Sequence, residues 1–409
     1  MSGERRLLVE DGKLLVLSWA FPPMPIGTAF VIGTLLSPFD PEGVIVFAGD
    51  PGKNGDHPPG LAVRRYDLPR WWPEDTVLRL GRFELPLRLR ALGNVAVGLR
   101  AAAAAARVLR RRDVKGVLAV YPKQHFLLAA CVASAVTRKP LLVFFMDVYV
   151  EGLPRGRRVA RLIDRYVARR ATAAFVLNEA QRKRLLRTWA SYGGGNARAV
   201  EVPVPYAPRP GESQLPAGLS GRPSILFTGT IYEAQADAIA RLIESLDSRD
   251  LDDLDPQLHL LTQTPREVLA RHGIRDGERV HVRRAPLDEV RAAQRAADIL
   301  FLPLSFDAVV AVVETTSPSK LPEYLAAGRP ILIHAPANSY LVAYAQQYGC
   351  AEVVTEPDVE ALAQALRRLA TDAARRRKLS ELSDRALERH ALENVARLFG
   401  GEIAAAVEP

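Results

Sequence analysis

The sequence predicts an α/β protein made of two Rossmann-like domains facing each other across a cleft. Three observations carry this expectation. Short apolar runs alternate with longer stretches of helical period, first over residues 14–202 and again over 224–372. Between the two series lies 203–223, whose six prolines and interspersed glycines prevent a regular element. The 409 residues also exceed one ordinary core.

In the first series, strands are expected at 14–19, 44–47, 117–120, 141–145, 173–177 and 199–202. Helices are expected at 28–36, 126–136, 157–170 and 179–189, with two arginine-bearing helical stretches between 87 and 112. The stretch 49–72 is rich in Pro, Gly and charge and reads as loop. The second series has strands at 224–228, 258–262, 280–283, 299–303 and 331–334. Its helices are 234–246, 265–272, 288–297, 320–327, 339–348 and 359–371, with a long loop after 303. The domains are therefore 1–202 and 224–372, joined by the linker 203–223. A last helical stretch, about 373–399, is long enough for 373–409 to cross back to the first domain. Strand–helix alternation of this kind builds a parallel sheet covered on both faces, and ligands bind at the carboxyl ends of its strands.

Composition excludes several classes. At 48% hydrophobic and 25% charged, the chain is globular rather than disordered. No apolar run reaches the length of a membrane span, and the charged first ten residues lack the apolar core of a signal peptide. Two distant cysteines, Cys131 and Cys350, make neither a disulfide framework nor a metal cluster, which suits a reducing cytoplasm. Charge is uneven: residues 1–202 hold 32 Lys/Arg against 17 Asp/Glu, while the remainder is mildly acidic. Eleven Lys/Arg fall within 155–187, interspersed with Val, Leu, Ile and Tyr. Such a half meets an anionic acceptor or an anionic membrane surface, or it is a solvated helix face. No recognised nucleic-acid module accompanies it.

The most informative segment is TTSPSKLPEYLAAGRPILI, 315–333, which follows the strand-like ADILFLPLS. Ser319 is the expected helix N-cap, Pro322 falls in the first turn and Gly328 ends the helix. Free N–H groups at such a start, with Lys320 beside them, suit a diphosphate. Glu323, one turn in, suits a pair of neighbouring hydroxyls such as those of a ribose. The plain alternative is a capped helix whose glutamate favours its positive end.

This segment resembles the donor-site motif of retaining glycosyltransferases of the GT-B architecture, in glycosyltransferase family 4 (group 1). Pro318, Lys320, Glu323, Tyr324, Ala326, Gly328 and Pro330 stand at the motif's positions. LLVLSWAFPPMPIG near the start and LFTGT at 226–230 are similar to the opening strands of that family's two domains. The resemblance implies transfer of a sugar from a nucleotide-diphosphate donor to an acceptor hydroxyl, with retention at the anomeric carbon. It implies no required cofactor or metal, the nucleotide sugar being a co-substrate. It gives Glu323 the ribose and sets Ser319, Lys320, Gly229 and the glycine-loop residue Gly27 near the phosphates. Asp147, in FFMDVYVE, is the catalytic candidate, placed to orient the acceptor or stabilise positive charge at the anomeric carbon. Loop capping by Asp147 and a plain turn at Gly27 are the alternatives.

Two departures bear on the donor site. Family members often have a glutamate eight positions before the helix glutamate. Here that position is Thr315, and Glu314 sits one residue early. A one-residue shift brings Glu314 back, or the N–H groups of Thr315 and Thr316 serve instead. Many members also place arginine after the LFTGT-like glycine and lysine soon after. Thr230 follows Gly229 here and 232–236 holds no lysine, so either Lys320 compensates or catalysis is altered. Two other readings therefore stay open: a nucleotide-sugar epimerase of similar fold, and a degenerate binding or scaffold protein.

Three other signals carry less. Asp253 and Asp255 lie in an acidic stretch and read as a solvated loop. His125 stands near a strand end, where it either lines the cleft or is partly buried. The seven histidines show no metal-ligand spacing.

Overall fold

The computed structural model describes residues 12–49, 64–68, 79–80, 83–84, 87–121, 123–153, 157–208 and 223–407, without positions 23 and 25 and with the isolated positions 9 and 219. Side chains are described outside 49–96. The chain divides into two compact units: Met1–Pro205 with Leu392–Pro409, and Tyr206–Ala391. Most of the expected linker, 209–218 and 220–222, lies outside the described residues.

The first unit runs β1 (Lys13–Ser18), α1 (Gly27–Leu36), β2 (Val44–Gly49), β3 (Arg64–Leu68), the small antiparallel pair β4 (Arg79–Leu80) and β5 (Phe83–Glu84), α2 (Leu87–Leu109), β6 (Val114–Tyr121), α3 (Gln124–Thr137), β7 (Leu141–Phe145), α4 (Arg157–Arg170), β8 (Ala171–Val176), α5 (Glu179–Ala190) and β9 (Arg198–Glu201). Seven strands pair in parallel in the order β3-β2-β1-β6-β7-β8-β9. Continuous apolar runs suit strands buried on both faces. Alternate residues feed two cores: Leu15, Leu17 and Phe145 join the side holding α2, α3 and α4. Leu14, Val16 and Phe144 join the side holding α1 and the final helix.

The second unit runs β10 (Ser224–Thr228), α6 (Ala236–Ser245), β11 (Gln257–Leu261), α7 (Arg266–Arg271), β12 (Val280–Arg283), α8 (Leu287–Ala296), β13 (Ile299–Pro303), α9 (Val310–Thr315), α10 (Leu321–Ala326), β14 (Ile331–His334), α11 (Tyr340–Tyr348), β15 (Glu352–Val354), α12 (Val359–Thr371) and α13 (Ala373–Leu387). Its six parallel strands take the order β12-β11-β10-β13-β14-β15. The order reverses between β10 and β13, which opens a crevice at the carboxyl end of β10.

Several expectations are corrected. The stretch read as loop contains β3, paired with β2 at the sheet edge, where Pro and charge nearby are tolerated. The two arginine-bearing helical stretches are one helix, α2. Gly98 does not break it because it lets α2 approach α3: a Cβ there would sit 3.2 Å from the His125 carbonyl oxygen. The long loop after β13 holds α9, which has no side-chain N-cap and is rich in β-branched valine, so no start signal marks it. Strand β15 is three residues long, too short for a period to show. The helical stretch after 373 is two helices, α13 and α14 (Leu392–Val407), split by a 3-10 turn at Glu388–His390. Only α14 belongs with the first unit: Phe399 lies 5.0 Å from the Phe175 ring and 6.0 Å from the Phe144 ring. In contrast, α13 stays on the second unit, where the Ala386 carbonyl accepts from the Tyr344 hydroxyl at 3.1 Å and Ser380 donates to the Gly328 carbonyl at 2.9 Å.

Candidate functional site

In the second unit the chain leaves β10 through Gly229, whose φ of +109° lies in the region that favours glycine. Its N–H donates to the Leu261 carbonyl at 2.8 Å, which fixes the turn to β11. The Lys320 side chain lies against this glycine: a Cβ built on Gly229 would come within 3.1 Å of Cε and 3.3 Å of Nζ. The ammonium also sits 4.7 Å from the centre of the buried Phe227 ring. Lys320 keeps some water contact, yet protein surrounds it closely. Desolvation brings its pKa down to about 8, opposed by the nearby Glu323 carboxylate.

Helix α10 is held at the end of β10 by its own tyrosine. The Tyr324 hydroxyl accepts from Thr228 N–H at 2.9 Å and lies 3.3 Å from Thr228 Oγ1. Gln294, on α8, donates through Nε2 to Thr228 Oγ1 at 3.0 Å and reaches Glu323 Oε2 at 3.4 Å. The tyrosine is fully buried, and desolvation drives its phenol far above the ordinary value, so it stays neutral. Tyr324→Phe is expected to leave the buried Thr228 N–H without this acceptor and to cost about 1–3 kcal/mol. Denaturant unfolding measures this; an unchanged midpoint would mean that the bond contributes nothing.

The structure thus brings Gly229, Thr230, Lys320 and Glu323 to one end of the β10–β13 crevice, with Gly229 and Thr230 exposed. Sequence reasoning missed Thr228 and Gln294 as supports. Thr228 lies within LFTGT, but nothing in the sequence singles out Gln294 from its helix. The expected cap is corrected: Lys320, not Ser319, is the N-cap of α10, with no side-chain cap bond, and Ser319 stands one residue before it. Glu314 and Thr315 are corrected too, since no loop carries them; both end α9. Thr315 is buried and gives its hydroxyl to the Ala311 carbonyl at 2.7 Å, while Thr316 gives its own to Val312 at 2.6 Å. Half-buried Glu314 sits on the last turn of the same helix.

In the first unit, Asp147 follows β7 and is exposed, bordering a small cavity of about 30 Å³ also lined by Phe145, Tyr149, Glu151, Asp164 and Arg184. Protein packed around it raises its carboxyl above the ordinary value. Tyr121, Phe145 and Tyr149 form one aromatic group here, with Tyr121 and Tyr149 centred 4.7 Å apart. Gly27 is the exposed first residue of α1, preceded by the extended N-cap residue Ile26. His125 follows the buried of its two readings: it is in the first turn of α3, against Phe126 at 4.8 Å between rings. Asp253 pairs with Arg367, and Asp255 accepts from Gln257 Nε2 at 2.7 Å.

Residues 222–372 match the family of glycosyl transferases group 1. No curated protein sequence matches the chain. Among solved structures, the fold is similar to sucrose-phosphate synthase from Thermosynechococcus elongatus (15% identity, 95% of this chain and 98% of that one, TM-score 0.65). It is similar to the trehalose-6-phosphate synthase OtsA (14% identity, 96% and 99%, TM-score 0.70). A third likeness is to HepE of Anabaena in complex with UDP-glucose (12% identity, 96% and 99%, TM-score 0.65). The fold is that of glycosyltransferase structures of the GT-B architecture, and the family match falls within the same fold's second half. Within this chain the second unit carries the group 1 glycosyltransferase domain.

Proposed function

We propose that the second unit binds a nucleoside-diphosphate sugar at the carboxyl end of β10, and that the enzyme transfers the sugar to an acceptor hydroxyl with retention. The observation that carries this reading is the Lys320 ammonium packed on Gly229, one turn from Glu323, at the switch point of the sheet. Glycine lets a diphosphate approach the backbone there, and Lys320 supplies the opposing charge as the bond between sugar and diphosphate breaks. That charge lets the reading proceed without a required metal. Glu323, steadied by Gln294, receives the two ribose hydroxyls. Asp147 orients the acceptor or stabilises the positive anomeric carbon. UDP-glucose in HepE, and UDP-2-fluoro glucose in the trehalose-6-phosphate structure from E. coli, support a donor of this chemical class. The free, buried Cys131 and Cys350 suit a reducing cytoplasm.

Calorimetry with UDP, GDP, TDP and ADP, each with and without magnesium, tests the reading. Selective, metal-independent binding of one of them is expected; binding of none would overturn it. Glu323→Ala is expected to weaken the preferred nucleotide about tenfold or more, as loss of a charged bidentate contact does. Unchanged affinity in the folded variant would remove Glu323 from the site.

A further inference from the structure

We propose that the outward face of α4 is a docking surface for an anionic lipid bilayer. At 100° per residue, Arg158, Val159, Leu162, Arg165, Tyr166 and Arg169 project within about 60° of Leu162. The arginines are exposed, Leu162 is 67% exposed and Val159 52%. The fold does not need these two aliphatic side chains. The opposite face of α4 already packs Ala160, Ile163, Val167 and Ala168 into the core.

Charge on this face has one sign. The one acid of the helix, Asp164, is buried and accepts from Trp189 Nε1 and the Tyr192 hydroxyl, both at 3.0 Å. Among the described residues no carboxylate pairs with Arg158, Arg161, Arg165 or Arg169. Arg165 instead lies over the Tyr192 ring at 5.2 Å. An arginine cluster calls for an anionic partner, and a leucine at its centre calls for one that also accepts apolar atoms. A bilayer headgroup region offers both: it takes up Leu162 and Val159 while the arginine stems lie along the surface and their heads reach phosphate. A nucleic-acid backbone gives Leu162 no apolar contact. This inference does not rest on the donor-site reading.

The test is co-sedimentation of the full chain with phosphatidylcholine vesicles, with and without a third of phosphatidylglycerol, at low and high salt. Binding is expected to the anionic vesicles and to fall with salt. At about fivefold per arginine near a charged surface, the triple change Arg158→Gln, Arg165→Gln and Arg169→Gln should weaken it on the order of 100-fold. Val159→Ser with Leu162→Ser, which leaves charge intact, should weaken it about tenfold. Each variant should bind nucleotide as the unaltered protein does, which shows that it is folded. If no nucleotide binds any form, the donor reading fails and this one stands. Failure to bind anionic vesicles, binding indifferent to both sets of changes, or tighter capture by a short DNA duplex than by vesicles would overturn it.

Discussion

Replacing Lys320 with methionine is expected to weaken nucleoside-diphosphate binding about 100-fold, because it removes a charge-assisted contact worth about 1.5–3 kcal/mol while keeping the stem over Phe227. The pH dependence should change with it. With a pKa near 8, Lys320 is mostly charged at neutral pH and loses its proton as pH rises through that value. Nucleotide needs the charged form, so affinity should fall about tenfold between pH 7 and 9 in the unaltered protein. In Lys320→Met it should be flat over that range. Stability of the nucleotide-free protein should move the other way. The folded pKa lies below the ordinary 10.5, so from about 8 to 10.5 the unfolded chain holds more protons on this group, and its contribution to stability rises with pH. Calorimetry at a series of pH values, beside unfolding at the same values, checks both. Affinity that falls equally in Lys320→Met would place the titrating group elsewhere.

The double series of strands and helices was legible because buried parallel strands leave continuous apolar runs, as in LLVL of β1 and ILFL of β13. Legible too was the segment around α10, where Pro322 and Gly328 mark the ends of a helix that carries Lys320 and Glu323. Less visible was what depends on contacts remote in sequence. Gln294 reaches Thr228 across 66 positions, and Tyr324 reaches it across 96, so no local pattern announces either bond. Short elements escaped for a related reason. In α9, valines carry no helix signal, and in β15 three residues show no alternation. Placing Thr315 in a loop followed directly from missing α9. Family spacing located the segment but could not say that Thr315 turns inward to bond Ala311.

A change at Gly229 tests whether the ammonium and the glycine turn act as one unit. Gly229→Ala places a side chain at φ +109°, which is strained for any L residue, and is expected to cost about 1–3 kcal/mol of stability. The new Cβ would also meet Lys320 Cε at 3.1 Å, and the flexible end of the lysine must move away. Nucleotide affinity should therefore fall by a large part of what Lys320→Met costs. In the Lys320→Met background the same glycine change should cost far less affinity, because the charge that it displaces is already gone. Such non-additivity is the signature of neighbours that share one interaction. Unfolding and calorimetry on the two single variants and the double variant complete the cycle. Additive losses would mean that Gly229 meets the diphosphate through its own backbone, independently of Lys320. A full-strength nucleotide site in Gly229→Ala would move the phosphates away from the end of β10 altogether.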